Sequence, residues 1–249
     1  MFGKFNFFTL LKVLFRMVVT AVVVLVFAIF IWRFVTGRVP AELEVLSPDP
    51  ALAEAYGIHG KELVLYTQDQ NSITRNEDSY GYFTACRVVF IPEAEQVQLL
   101  IRYNDSTLEA TERDYGLAGG SLDSALDWYD VTLVVATDLT PDNTEDNLGN
   151  DPESVLLTRI QPSAVTESLH HGLYSYRRLI FNGVSQNDLT LAVYADFYFN
   201  DDIAYLESDF DIYEARAYGT LCLYAYADKN VPLSLTDDDI KALESYKTR

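Results

Sequence analysis

The chain has 249 residues, 49% hydrophobic and 22% charged, a balance that excludes a disordered or fibrous protein. Its 18 Lys and Arg stand against 37 Asp and Glu, a formal net charge of −19. That deficit of cations argues against a surface that tracks phosphates, so no nucleic-acid partner is expected.

Charge divides the chain at one point. Residues 1–38 carry Lys4, Lys12, Arg16, Arg33 and Arg38 and no acid, a net of +5, and the first acid is Glu42. The remaining 211 residues hold 13 basic and 37 acidic side chains, a net of −24. Such a break marks two environments. Within the basic part, the stretch Met17 to Trp32 contains one polar residue, Thr20. As a helix these sixteen residues give roughly 24 Å, short of the ~30 Å hydrocarbon core. The apolar flanks Val13–Phe15 and Phe34–Val35 and the snorkelling of Arg16 and Arg33 close the gap.

Residues 17–35 are therefore predicted to be a transmembrane helix whose partner is the lipid bilayer. Residues 1–16 are predicted to be a cytoplasmic or interfacial segment. The helix is followed by Thr36-Gly37-Arg38-Val39, which lacks the small-x-small pattern of signal-peptide cleavage, so a retained anchor is expected. The excess of Lys4, Lys12 and Arg16 over Arg33 and Arg38 favours a cytoplasmic N-terminus. The expected location is the cell membrane, single-pass, with the C-terminal domain extracytoplasmic.

Residues 36–60, with Pro40, Pro48 and Pro50, read as a juxtamembrane linker. It holds a short helix, capped by Asp49, opened by Pro50 and stopped at Gly57. Residues 61–249 read as one acidic, β-rich domain. Its clearest strand is Asp188–Phe199, with Leu189, Leu191, Val193, Ala195, Phe197 and Phe199 on one face and Tyr194, Asp196 and Tyr198 on the other. Val97–Tyr103 and Val131–Val135 alternate in the same way. Further strands are expected at 62–66, 83–91, 154–160, 174–181, 206–213 and 216–227. The pattern predicts a mainly β fold, an antiparallel β-sandwich in preference to a barrel, with a short C-terminal helix.

That helix is expected over 236–246, where Thr236 and Asp239 form a capping box. A shorter helix is expected over 121–127 with Ser121 as cap, and 106–114 reads equally as helix or edge strand. Residues 81–90 and 172–181 align at an offset of 91, a faint echo that would make a duplicated strand-turn-strand unit and would equate Arg87 with Arg178.

Catalytic signatures are sparse. His59, His170 and His171 match no zinc spacing, and no nucleophile elbow or phosphate loop is present. Cys86 and Cys222 lie on expected strands, as two buried thiols or one disulfide. Calcium is the one cofactor with a candidate site: taking Asp142 as position one of an EF-hand-like loop, Thr144, Asp146, Asn150 and Glu153 fall at ligand positions.

Tyrosine supplies the candidate binding face. Tyr194 and Tyr198, with Tyr218, Tyr224 and Tyr226 on a second strand, would form an amphipathic platform for a protein or carbohydrate ligand. The expected function is a membrane-anchored extracytoplasmic binding or scaffolding module with no identifiable catalytic chemistry. Its rivals are a membrane-tethered hydrolase using paired carboxylates, and an accessory subunit whose span packs in a membrane complex through Ala21, Val22 and Ala28.

Overall fold

The computed structural model describes residues 7–68, 74–75, 83–114, 116–122, 129–138, 155–166, 168–185, 192–199, 219–224 and 230–247. The chain forms two compact units, Met1–Arg38 and Val39–Arg249.

The first unit is one helix, α1 (Phe7–Thr36), 30 residues or about 45 Å long. It starts ten residues before the expected span, because no glycine or proline interrupts the chain between Lys4 and Thr36. Much of the segment expected to lie at the interface is thus continuous with the span. At the other end Gly37 donates its N–H to the Arg33 carbonyl at 3.0 Å. A Cβ there would lie 2.8 Å from that carbonyl oxygen, so the helix end takes glycine. Large apolar side chains from Leu11 to Val35 are at least 44% exposed. Phe15 and Val24, half a turn out of phase, are 69% and 61% exposed, so the helix has no side turned inward. It is long and apolar enough to cross a membrane.

The second unit is mostly β. Its strands are β1 (Leu65–Gln68), β2 (Thr74–Arg75), β3 (Thr84–Ile91), β4 (Gln96–Tyr103), β5 (Tyr129–Asp138), β6 (Val155–Ile160), β7 (Ala164–Val165), β8 (Leu169–His171), β9 (Tyr174–Asn182), β10 (Ala192–Phe199), β11 (Gly219–Tyr224) and β12 (Asn230–Leu233). The helices are α2 (Ala41–Glu44), α3 (Pro50–His59), α4 (Asp105–Asp114) and α5 (Asp237–Lys247). One sheet runs β12-β1-β3-β4-β9-β7, with β8 also paired to β9, and the other runs β2-β11-β10-β5-β6. Every pairing is antiparallel and neither sheet closes into a barrel. Pro232 sits on β12, which ends the first sheet among the described residues, a position that tolerates proline.

The largest core cluster draws alternate residues from both sheets. Val97, Leu99 and Ile101 of β4 and Leu179 and Phe181 of β9 join Val131, Leu133 and Val135 of β5 and Val193, Ala195 and Phe197 of β10. Across it Phe83 stacks on Phe197 at 4.2 Å and meets Tyr129 at 4.9 Å. The period-2 reading of β4, β5 and β10 therefore selects the right inward faces.

The outward faces differ from expectation. Gln96, Gln98 and Leu100 of β4 are buried because the segment from Val39 to His59 lies on them and is part of the β unit. The second compact unit begins at Val39 and so includes most of the segment read as a linker. Helix α3 is capped by Asp49 as expected, but continues through Gly57 to His59 and ends at Gly60, whose φ of +58° is the left-handed conformation suited to glycine. The 106–114 segment is helical: Asn104 caps α4, its Oδ1 accepting the Thr107 N–H at 3.2 Å.

The proposed duplication is not seen. β3 pairs with β4, whereas β9 and β10 lie in different sheets, and alternation alone accounts for their likeness. The strand expected over 206–213 and most of the helix expected over 121–127 lie outside the described residues. Ser121 itself follows a Gly119-Gly120 turn and is not helical.

Candidate functional site

The outer face of the first sheet carries the most distinctive chemistry. On β3, Ala85 pairs with Ile101 and Arg87 with Leu100, so Cys86 is an extra residue, a β-bulge. Ala85 and Val88 keep their places in the core cluster that both sheets contribute to. Cys86 and Arg87 both line a groove of about 650 Å³ on the other face. Its walls are apolar at Val39, Val45, Leu100, Val231 and Leu233, and it is acidic at Glu44 and Asp238.

Leu100 pairs with Arg87 on one side and Arg178 on the other, so the two guanidinium groups flank it across three strands. Arg178 is buried and donates through Nη2 to the Leu43 carbonyl. Burial, reinforced by the charge of Arg87 and partly offset by Asp239, lowers its pKa to about 10. Arg87 is half-buried, and its pKa too is lowered by burial, against the pull of Asp239 and Glu44. Its guanidinium makes no hydrogen bond or ion pair with any described residue, while the charges of Asp239 and Glu44 act on it. Burial pushes the Cys86 thiol up to about 11, against the weaker effect of Arg102, so it stays protonated and poorly nucleophilic near pH 7.

Three buried carboxylates serve as clamps. Asp49 accepts from Leu52 N at 2.9 Å, Gln96 Nε2 at 2.9 Å and Asn182 Nδ2 at 3.2 Å. Gln96 passes the network to Gln98, which binds both backbone groups of Ser47. Asp239 accepts from Leu46 N at 2.6 Å and from Thr236 N at 2.9 Å and Oγ1 at 2.6 Å, while Thr236 Oγ1 accepts the Asp239 N–H at 3.1 Å. The expected capping box is thus present, and it also ties α5 to the segment before α3. Glu112 accepts from Gly120 N and Leu122 N, both at 2.8 Å. The N–H of Leu122, then that of Gly120, holds its carboxyl below the usual range.

The tyrosine face divides. Tyr194 is half-buried, but Tyr198 is 2% exposed and its hydroxyl donates to Asp196 at 3.4 Å. Burial, followed by the Asp196 charge, raises the Tyr198 pKa to about 12. Asp196, Thr132 and Val134 on that face are buried as well. Tyr198 is therefore a packed residue of the face expected to form a binding platform, and alternation cannot distinguish a covered second face from an open one. The backbone of Tyr224 lies in β11, whereas its side chain, Tyr218 and Tyr226 lie outside the described residues. So do the candidate calcium ligands Asp142, Thr144, Asp146, Asn150 and Glu153.

No group of three or more His, Cys, Asp or Glu suited to a metal occurs among the described residues. His170 and His171 are exposed on β8, opposite Ser175 and Tyr174, beyond a turn in which Gly172 has φ +65°. Cys86 is buried, with its Sγ donating to the Thr84 carbonyl at 3.8 Å, and the side chain of Cys222 lies outside the described residues.

The groove was not anticipated from the residues, although one signal exists. Inward apolar positions along β3 run Ala85, Val88, Phe90, a three-residue step in a period of two that marks the bulge. Comparison with family models, with characterised proteins and with solved structures finds no match.

Proposed function

We propose that the chain is a single-pass, membrane-anchored binding module whose acidic β unit lies outside the cytosol. Face-to-face packing of the two sheets as a sandwich is part of this reading, supported by the core they share through Phe83, Phe197 and Tyr129. The observation that carries the anchor is the all-round exposure of α1. Leaving its large apolar side chains in water would forgo roughly 30 kcal/mol of transfer free energy, at ~1.5 kcal/mol for each. Lipid supplies that burial for an isolated helix.

Binding is favoured over hydrolysis because Asp49, Asp239 and Glu112 each accept several hydrogen bonds from the protein's own groups. Carboxylates so engaged are poor general acids or bases. The test is protease digestion of the full chain in sealed vesicles of both orientations. The β unit is expected to be cut in right-side-out vesicles and protected in inverted ones. The reverse pattern would overturn the topology.

A further inference from the structure

We propose that the end of the β8–β9 hairpin, Leu169 to Tyr174, rests in the headgroup layer of the bilayer that holds α1, so that the β unit meets the lipid surface through this edge. This rests on the reading of α1 as an anchor and adds a second membrane contact to it.

The path of residues 39–49 over the first sheet locates the edge. Asp49 binds Gln96, Ser47 binds Gln98, and the Leu43 carbonyl accepts from Arg178, the β9 partner of Leu100. Val39 packs against the cluster of Cys86, Leu100 and Tyr176, and Tyr176 is paired with Arg102. Followed backwards from Asp49, the segment thus climbs β4 from Gln96 towards Tyr103. At that end of the sheet β9 begins with Tyr174, and Gly172 and Leu173 turn it into β8. Tyr174 packs against the same cluster as Val39, its ring 6.4 Å from that of Tyr176. Leu173, three residues before Tyr176, is roughly 10 Å away along the strand direction. Only Gly37 and Arg38 separate Val39 from the end of α1, a reach of at most about 11 Å.

Two properties fit this edge to lipid. Of the large apolar side chains exposed outside α1 among the described residues, half (Val165, Leu169 and Leu173) belong to β7, β8 and the turn after it. Leu169 and Leu173 are 40% and 36% exposed, and Tyr174, an aromatic with a polar tip, is half-buried beside the turn. The second property is charge. Between Glu167 and Asp188 the chain holds no acid, although the unit beyond Arg38 carries all 37 of them. This edge can therefore shed water without burying a carboxylate. Asp105, exposed at the start of α4, follows the same end of β4, so the contact draws on apolar burial rather than on attraction to anionic lipid. Two leucines bind an interface weakly by themselves; the anchor makes the contact intramolecular and so raises its occupancy.

The test is photo-labelling of the full chain in phosphatidylcholine vesicles that contain a phosphatidylcholine with a diazirine on its acyl chain close to the glycerol, followed by tryptic mapping. Label is expected in α1 and in peptide 160–177, and only at background level in peptide 230–241, which carries the exposed Val231. The double variant Leu169→Ser, Leu173→Ser should lower label in 160–177 roughly tenfold and leave label in α1 unchanged. Leu173→Ser alone, in the exposed turn, should lower it by a smaller factor, with circular dichroism confirming the fold of each variant. Label in 160–177 no higher than in 230–241, or unchanged label in the folded variants, would overturn the proposal and leave the anchor standing. Absence of label from α1 as well would overturn the anchor reading and this contact with it.

Discussion

Replacing Asp49 by alanine probes the joint between the segment after α1 and the sheet beneath it. Three donors lose their acceptor at once. Loss of the α3 cap to Leu52 N costs about 1 kcal/mol. Gln96 is 0% exposed, and its amide keeps one acceptor, Asn182 Oδ1 at 2.8 Å, but loses the other, a buried orphan worth about 1–3 kcal/mol. Asn182 is half-buried and adds less. The expected total is about 3 kcal/mol, or a fall in Tm of roughly 6–12 °C for a unit of this size. Asp49→Asn should cost about 2 kcal/mol, because its amide oxygen can still cap α3 while its NH₂ confronts two donors. The assay is urea unfolding of the full chain in detergent micelles at pH 7, followed by far-ultraviolet circular dichroism. A loss below about 1 kcal/mol, or the same loss in a Gln96→Ala background as in the parent, would refute the clamp by removing its energy or its coupling.

Three more outcomes follow from the same structure. Leu133→Ala, at a 0% exposed site in the core shared by both sheets, should cost about 2–5 kcal/mol in the same urea assay, whereas an uncovered inner face would give much less. Because the folded-state pKa of Glu112 is lowered, its contribution is present above the unfolded carboxyl value of ~4.3 and is lost as pH falls through the lower folded value. Glu112→Gln should therefore be destabilised at pH 7, and its deficit should shrink towards pH 3; a constant deficit would contradict the assignment. In a Cys222→Ser chain, Cys86 should react with maleimide at pH 7.5 more than roughly 100-fold slower folded than unfolded, since a pKa of about 11 leaves little thiolate and the thiol is buried.

The inner half of the fold was legible because alternation reports which residues point together: Val97, Leu99 and Ile101, and Val193, Ala195 and Phe197, are all buried as expected. Local capping chemistry was legible for the same reason, at Asp49 and in the Thr236–Asp239 box. What covers the second face of a sheet is a long-range matter. Nothing near Gln98 in the sequence announces that Ser47, 51 residues earlier, will satisfy its amide. The burial of Tyr198 was not legible for the corresponding reason, since an alternating polar face looks the same whether water or protein lies over it. The groove needed both kinds of information: a one-residue slip in β3, and the return of residues 39–45 and of β12 to the same sheet face.

Alkaline carbonate extraction of membranes, run side by side on the full chain and on residues 39–249, tests the central claim most directly. The full chain should stay in the membrane pellet, held by α1. Residues 39–249 should be released to the supernatant. Release of the full chain, or retention of residues 39–249, would contradict the assignment of α1 as the anchor.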